Sequence, residues 1–267
     1  MDKVLSFHQG RLPLLISMPH AGLRLTPAVE QGLVESARSL PDTDWHIPQL
    51  YDFAREMGAS VVAAEYSRFV IDLNRPDDDK PLYAGATTGL YPATLFDGEP
   101  LFKAGLTPSA QERATYLEQI WRPYHATVRT ELARLRESFG YALLWDAHSI
   151  RSQIPHLFDG QLPDFNLGTF NGASCDPALA ERLVAVCAEA SGYSHVLNGR
   201  FKGGHITRHY GHPTGHVHAV QLELAQRAYM EEVEPFAYRE DLARPTQLVL
   251  GKLLQAMLAW GQAHYGK

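Results

Sequence analysis

Short apolar runs recur along this chain, and several of them end in proline, glycine or a polar residue. A continuous apolar run is typical of a strand that is buried on both faces of a sheet. The pattern predicts strands at residues 12–18, 61–64, 69–73, 141–149 and 217–224, with a short extended segment at 196–199.

Apolar residues at helical spacing predict the helices that connect these strands. The clearest helix is predicted over residues 109–139, where Pro123 should kink or split it. Further helices are predicted at residues 26–40, 48–57, 176–190 and 245–263. A long surface loop is predicted at residues 81–108, and irregular segments are predicted at residues 151–175 and 202–208.

Strands alternate with helices along the chain, without an internal repeat or a linker-like change in composition. This order is typical of α/β proteins, in which helices cover both faces of a sheet. We therefore expect a single three-layer α/β domain over residues 1–267, built on a mixed and mostly parallel sheet.

The composition narrows the possible partners and location of the protein. A net charge of -6, without a Lys/Arg block, gives no electrostatic reason to expect nucleic-acid binding. No run approaches the roughly 18 apolar residues of a membrane helix, and the amino terminus lacks the features of a signal peptide. We therefore expect a cytoplasmic protein that binds neither nucleic acid nor membrane, while its oligomeric state stays open.

Two histidines follow predicted strands that could end at the same edge of the sheet. His20 comes just after the strand at residues 12–18, and His148 lies at the end of the strand at residues 141–149. The carboxyl ends of strands are where α/β proteins place their chemistry. We therefore predict that His20 and His148 are ligands of a catalytic metal ion.

A catalytic zinc ion needs about three nitrogen or oxygen ligands from the protein, so a carboxylate is expected as the third. Asp44 is our choice, although it could also cap the helix that follows it. Asp42 competes with it. Asp146 lies two residues from His148 and points the same way on a strand, so it either orients that ligand or binds the metal itself.

Glu223 is predicted as the general base of such a site. It lies in an otherwise apolar strand at residues 217–224, where an unpaired carboxylate is costly to bury. A partly desolvated glutamate suits proton transfer from a metal-activated water. The alternative is a solvent-facing glutamate on an edge strand.

Arginine and glycine residues provide candidates for substrate binding. Asn74, Arg75 and Arg208 could hold carboxylates, because the guanidinium fork matches a carboxylate in shape. Lys202 and Gly204 belong to a Lys-Gly-Gly segment that resembles a flexible flap or an anion-holding turn. Such groups would suit a substrate with two carboxylates.

Five of the 13 histidines lie between His205 and His218, namely His205, His209, His212, His216 and His218. A non-catalytic metal-binding protein that uses these histidines is therefore an alternative. The sequence lacks the motifs G-x-S-x-G, G-x-G-x-x-G and H-E-x-x-H, which argues against several other enzyme classes.

Several segments together resemble the N-formylglutamate amidohydrolase family and extend over nearly the whole chain. They are SMPHAG (17–22), DTD (42–44), IDLNRP (71–76), WDAHS (145–149), NGRFKGG (198–204), ITR (206–208) and QLE (221–223). That family is similar in fold to zinc carboxypeptidases and aspartoacylase-type deacylases, which implies a zinc site at the edge of a mixed sheet. Those relatives use a His-x-x-Glu pair, whereas the residue three positions after His20 is Leu23.

The resemblance implies hydrolysis of N-formyl-L-glutamate to formate and L-glutamate, a late step of histidine breakdown. It implies zinc, or another divalent transition metal, as cofactor and a small dicarboxylic N-formyl amino acid as substrate. Residues 72–75 resemble the substrate-carboxylate motif of the deacylases, and Glu223 falls where their catalytic glutamate falls, after Arg208. A deacylase for another N-acyl amino acid stays an alternative.

Overall fold

The computed structural model describes residues 3–81 and 88–266 and contains a seven-stranded sheet within them. The strands are β1 (Leu5–His8), β2 (Leu14–Met18), β3 (Ser60–Ala64), β4 (Ala142–Ile150), β5 (Phe165–Gly168), β6 (His195–Leu197) and β7 (Val217–Ala225). The α-helices are α1 (Pro27–Gly32), α2 (Ile47–Leu50), α3 (Phe53–Met57), α4 (Ala110–Tyr116), α5 (Arg122–Phe139), α6 (Pro177–Glu189), α7 (His205–Tyr210) and α8 (Glu240–Tyr265). Short 3-10 turns lie at Glu35–Ala37, Phe170–Gly172, Pro213–Gly215 and Gln226–Ala228.

The sheet is mixed and mostly parallel, as the sequence predicts. Its strand order is β1-β3-β2-β4-β7-β5-β6. The central strands β3, β2, β4 and β7 run parallel to one another, and β6 runs parallel to β5. Antiparallel pairing is found between β1 and β3 and between β5 and β7.

Helices pack on both faces of this sheet, which confirms the predicted three layers. Leu143 and Trp145 of β4 belong to the apolar cluster under α6 and α8. Ala142 and Leu144 alternate with them and belong to the cluster under α5 on the opposite face. Every residue of β4 is buried, which explains why this strand appears in the sequence as a nearly unbroken apolar run.

The predicted strand at residues 69–73 is wrong. This segment forms turns, in which the backbone N–H of Val70 donates to the carbonyl of Ser67 at 2.9 Å. The N–H of Asp72 donates to the carbonyl of Leu90 at 2.8 Å. The apolar side chains of the segment are nevertheless buried, so its hydrophobicity reflects packing rather than ladder pairing.

The interruption predicted near Pro123 takes the form of a π turn. The helix begins with a capping box between Ser109 and Glu112, and a π turn over Leu117–Trp121 joins α4 to α5. A π turn is a common way to relieve a local break in the hydrogen-bond ladder of a helix. The chain therefore continues as one helical segment from α4 through α5.

Other boundaries differ from the predictions, because local packing decides them. The helix predicted at residues 26–40 ends at Gly32, and the one at residues 48–57 is divided into α2 and α3. The helix predicted from Pro245 begins at Glu240. Strand β5 lies inside the predicted irregular segment 151–175, α7 begins inside the segment 202–208, and β1 has no predicted counterpart.

The segment predicted as a long surface loop is packed against the protein where the structure describes it. Residues 82–87 lie outside the described residues. In the remainder, Leu90, Leu95 and Leu101 are buried. Elsewhere, the structure has no helix, among the residues it describes, that is long and apolar enough to cross a membrane.

Candidate active site

The candidate site lies where β2, β4 and β7 end. These strands pair in parallel, so their carboxyl ends meet at one edge of the sheet. The register places His148 opposite Glu223 and Asp146 opposite Gln221. Because side chains alternate along a strand, His148 and Asp146 point to the same face as Leu144, which is the face covered by α5.

The predicted ligands His20, Asp44 and His148 lie together and are buried. Oδ2 of Asp44 is 3.0 Å from Nδ1 of His148 and 3.7 Å from Nδ1 of His20. Candidate ligand atoms of the three residues all lie within 4.8 Å of one another. Tetrahedral zinc ligands at about 2.0–2.2 Å from the ion are roughly 3.4 Å apart, so the two distances from Asp44 are close to those of a zinc site. That the three residues bind a metal stays a prediction.

Each histidine has a carboxylate near its other ring nitrogen. Oδ1 of Asp72 is 2.7 Å from Nε2 of His20, and Oδ2 of Asp146 is 3.2 Å from Nε2 of His148. Carboxylates in such positions fix the tautomer and the orientation of metal-binding imidazoles. Asp146 therefore lies across the His148 ring from Asp44, which favours an orienting role over direct ligation.

Asp42, the other competing carboxylate, is engaged by different groups. Its Oδ2 accepts a hydrogen bond from the backbone N–H of Phe96 at 2.8 Å, and its Oδ1 accepts one from Arg151 at 3.2 Å. Asp44, in contrast, lies directly beside His20, because its backbone N–H donates to the carbonyl of His20 at 3.1 Å. The geometry thus favours Asp44 over Asp42 as third ligand.

The electrostatics of this cluster favour a positive charge between its carboxylates. Burial lowers the pKa of His148, but Asp146 and Asp44 outweigh burial and raise that pKa well above its usual value. Burial, with the charge of Arg68, lowers the pKa of His20 and so favours its neutral form. A neutral imidazole is the form that binds metal ions.

Glu223 faces the cluster from β7 and is only 7% exposed. Burial raises the pKa of its carboxyl group to about 8, although His148 lowers it. A carboxyl group whose pKa lies near neutral can both take and return a proton. The alternative of a solvent-facing glutamate on an edge strand is wrong, because β7 lies between β4 and β5.

A cavity of about 80 Å³ opens above these groups. On this measure one water needs roughly 10–15 Å³, so the space suits a small molecule. Its polar lining combines His20, His148 and Glu223 with Arg68, Arg75 and Arg200. Its apolar wall is formed by Phe96, Ile150, Leu157 and Phe201.

Three of the predicted substrate-binding residues, Asn74, Arg75 and Gly204, line this cavity. The amide nitrogen of Asn74 is 3.0 Å from Nε2 of His148. Arg75 donates from Nε to the carbonyl of Thr88 at 2.6 Å, which fixes the direction of its guanidinium group. Their contact with a substrate stays a prediction.

Arg208 and Lys202 are not among the residues that line the cavity. Arg208 lies on α7, where its Nε donates to the carbonyl of Gly203 at 2.7 Å and its guanidinium group covers the Phe170 ring at 4.6 Å. The backbone carbonyl of Lys202 accepts from Phe170. The structure therefore does not bring these two predicted residues to the site.

Sequence reasoning overlooked Arg68 and named Asp72, Arg200 and Gln221 only as parts of the family motifs. Arg68 is buried and donates to Asp72 at 2.7 Å, four residues later. This pairing explains how an arginine can be buried so close to the predicted metal centre. For Arg68, the available signal was its opposite charge to Asp72, four residues later across an apolar run. For Arg200 and Gln221, the family motifs were the only signal.

The histidines of the 205–218 segment do not form a metal cluster in the described part of the chain. His205 and His209 stack with ring centroids 5.0 Å apart, whereas Nε2 of His218 lies 2.7 Å from the hydroxyl of Tyr265. The group that has metal-ligand spacing within residues 3–81 and 88–266 includes none of the segment's histidines. This arrangement does not support a metal-binding protein built on that segment.

A sequence model of the N-formylglutamate amidohydrolase family matches residues 12–230. The chain belongs to this family. It is 84% identical to the N-formylglutamate deformylase of Pseudomonas putida, over 99% of each chain. It is 72% identical to the N-formylglutamate deformylase of Pseudomonas aeruginosa PAO1, over 99% of this chain and 100% of that one.

The fold of the family is found again in a solved structure. The crystal structure of an N-formylglutamate amidohydrolase from Ralstonia eutropha JMP134 superposes with a TM-score of 0.80, over 95% of this chain and 97% of that chain. The sequence identity is 23%, so the likeness concerns the fold. The predicted similarity to zinc carboxypeptidases and aspartoacylase-type deacylases stays a prediction.

Proposed function

We propose that this chain hydrolyses N-formyl-L-glutamate to formate and L-glutamate, and that residues 1–267 act as a single metal-dependent amidohydrolase domain. The observation that carries the proposal is the convergence of His20, Asp44 and His148 opposite the buried Glu223, inside a small cavity. The two deformylases from Pseudomonas support the choice of substrate, because their sequences match this chain from end to end.

His20, Asp44 and His148 would hold the metal, and we propose zinc, because two histidines and one carboxylate form catalytic zinc sites. Another divalent transition metal would suit the same ligands. When bound, zinc supplies a Lewis acid that acidifies water and polarises a carbonyl group. Asp72 and Asp146 would keep the two imidazole rings in their binding orientation, since each lies beside the ring nitrogen that faces away from Asp44.

Glu223 would carry the protons of the reaction. It takes a proton from the attacking water, whose oxygen forms the new bond to the formyl carbon. It then gives that proton to the amine nitrogen as the carbon–nitrogen bond breaks. Arg68, a buried cation in the wall of the cavity, would stabilise the negative charge that develops on the formyl oxygen. The products are formate and the free amino acid.

The charges of the cavity would select the dicarboxylic substrate. Arg75 and Arg200 line the cavity together with Asn74, and arginine binds carboxylates through paired hydrogen bonds. A small cavity suits a substrate whose acyl group is only a formyl group, and a deacylase for another N-acyl amino acid stays the alternative. Arg208 and Lys202 do not line the cavity, so the proposal assigns them no contact with the substrate.

The test is an assay of formate release from N-formyl-L-glutamate by the purified protein, before and after treatment with a chelator. We expect turnover that the chelator abolishes and that stoichiometric zinc restores. N-acetyl-L-glutamate is the matched control, since it carries the same two carboxylates with one additional methyl group. Faster turnover of the acetyl substrate would contradict the proposed substrate. Full activity after complete removal of the metal would contradict the proposed metal dependence.

A further inference from the structure

Gln221 is a buried glutamine two residues before the proposed base on β7. Its side chain points to the same face as Glu223, because residues two apart on a strand project in the same direction. Nε2 of Gln221 donates to Oε2 of Glu223 at 3.1 Å. The glutamine therefore touches the carboxylate that the proposed reaction uses.

The orientation of the Gln221 amide is determined by a second contact. The backbone N–H of Gly204 donates to Oε1 of Gln221 at 2.7 Å. A backbone N–H can only donate, so the oxygen of the amide must face Gly204 and the NH2 group must face Glu223. The amide thus presents a donor to Glu223.

The segment that fixes this amide is itself held in place. A Cβ atom at Gly204 would lie 2.2 Å from the amide nitrogen of Asn74, so the backbone passes directly against that side chain. Two residues later, the N–H of Ile206 donates to Oδ1 of Asn74 at 2.8 Å. Asn74 in turn lies 3.0 Å from His148. The start of α7 therefore connects the proposed base with the predicted metal site.

We propose that Gln221 is a positioning residue that holds Glu223 for proton transfer. The hydrogen bond to Oε2 fixes one oxygen of the carboxylate, and the described residues offer no hydrogen bond to the other oxygen, Oε1. Oε1 is thereby the oxygen that is presented for the proton. The inference rests on the proposed function, because the task of Glu223 is proposed there.

The first test is Gln221→Met, which keeps the length of the side chain and removes both hydrogen bonds. We expect kcat to fall about 10- to 100-fold, comparable to the loss of a partner that orients a metal ligand, while KM changes less than about twofold. Zinc content should equal that of the wild type. Gln247→Met is the matched control, since Gln247 donates to a backbone carbonyl of Leu50 on α2, away from the cavity, and should keep its kcat.

A second variant separates positioning from anchoring of the Gly204 segment. At a pH at which both carboxyl groups are ionised, Gln221→Glu keeps an acceptor for the Gly204 N–H but replaces the donor that faces Glu223 with a carboxylate oxygen. We expect a loss of kcat at least as large as that of Gln221→Met. Near-normal kcat in Gln221→Glu would mean that only the bond to Gly204 matters, and it would overturn the inference. This variant also provides the test if Gln221→Met fails to fold.

A double-mutant cycle gives the decisive measurement. In a Glu223→Gln background, Gln221→Met should lower the residual kcat by less than about threefold, because its effect acts through the carboxylate. The same fold loss in both backgrounds would refute positioning. If the wild type releases formate and Glu223→Gln is impaired while the Gln221 variants are normal, the inference alone fails. If the wild type releases no formate from N-formyl-L-glutamate, the proposed function fails and the inference falls with it.

Discussion

The two faces of β7 differ in the chemistry that they bury. Leu222 and Leu224 enter the apolar cluster that α6 and α8 cover. Gln221 and Glu223 alternate with them and face the cavity, where the Gln221 amide bonds to Gly204 and to Glu223. Burial of the leucines is favourable by itself, whereas burial of the carboxyl group requires a network around it. One strand therefore contributes apolar packing on one face and the proposed general base on the other.

The largest effect is expected at the site face of this strand. Glu223→Gln should lower kcat about 10²- to 10⁴-fold, the contribution of a general acid–base group, because the amide cannot take the proton. The variant should bind zinc and unfold at a temperature no lower than the wild type, since a neutral amide is less costly to bury than a carboxylate. Near-normal kcat, with zinc retained, would remove Glu223 from the reaction.

The neighbouring residue should show the opposite behaviour. Leu222→Ala leaves a cavity in the core face and should lower the free energy of unfolding by about 2–5 kcal/mol. The kcat of the folded fraction should stay close to that of the wild type. Chemical denaturation and steady-state kinetics on the same preparation check both statements. A fall in kcat comparable to that of Glu223→Gln would show that the two faces are not separable.

The same contrast explains what could be predicted from the sequence. Leu143, Trp145 and their neighbours form a strand that is buried on both faces of the sheet, so their apolar run correctly predicts a buried strand. Residues 69–71 are equally apolar and equally buried but form turns, because burial alone does not specify ladder pairing. The apolar pattern therefore predicts which segments are buried in the layers of the fold better than it predicts whether a segment is a strand or a turn.

A strand end predicted where His20 and His148 lie, whereas the position of the Arg208 side chain depends on a tertiary contact. His20 and His148 follow or end strands, and they lie together in the structure. Arg208 is near Glu223 in the chain, but its guanidinium group turns towards Gly203 and Phe170. The direction of a side chain on a short helix such as α7 depends on its packing, which no local pattern records.

Arg75→Ala tests whether the cavity face recognises charge. Loss of a charge-assisted hydrogen bond costs about 1.5–3 kcal/mol, so KM for N-formyl-L-glutamate should rise roughly 10- to 100-fold. Turnover of an N-formyl amino-acid amide without a carboxylate should change much less. An equal loss on both substrates would show that Arg75 shapes the site rather than binding the substrate, for example through its bond to Thr88.

Asp146→Asn gives the finest test of the site face, because it keeps the volume of the side chain and removes the charge beside His148. Asp146 accepts hydrogen bonds from Ser17 at 3.2 Å and Thr207 at 3.1 Å, and an asparagine oxygen can keep one of them. If Asp146 orients the ring, zinc affinity should fall about 10- to 100-fold and excess zinc should restore most of the activity. Competition with a chelator measures this affinity. If Asp146 were itself a ligand, excess zinc would leave the variant inactive, and the assignment of Asp44 would have to be exchanged for Asp146.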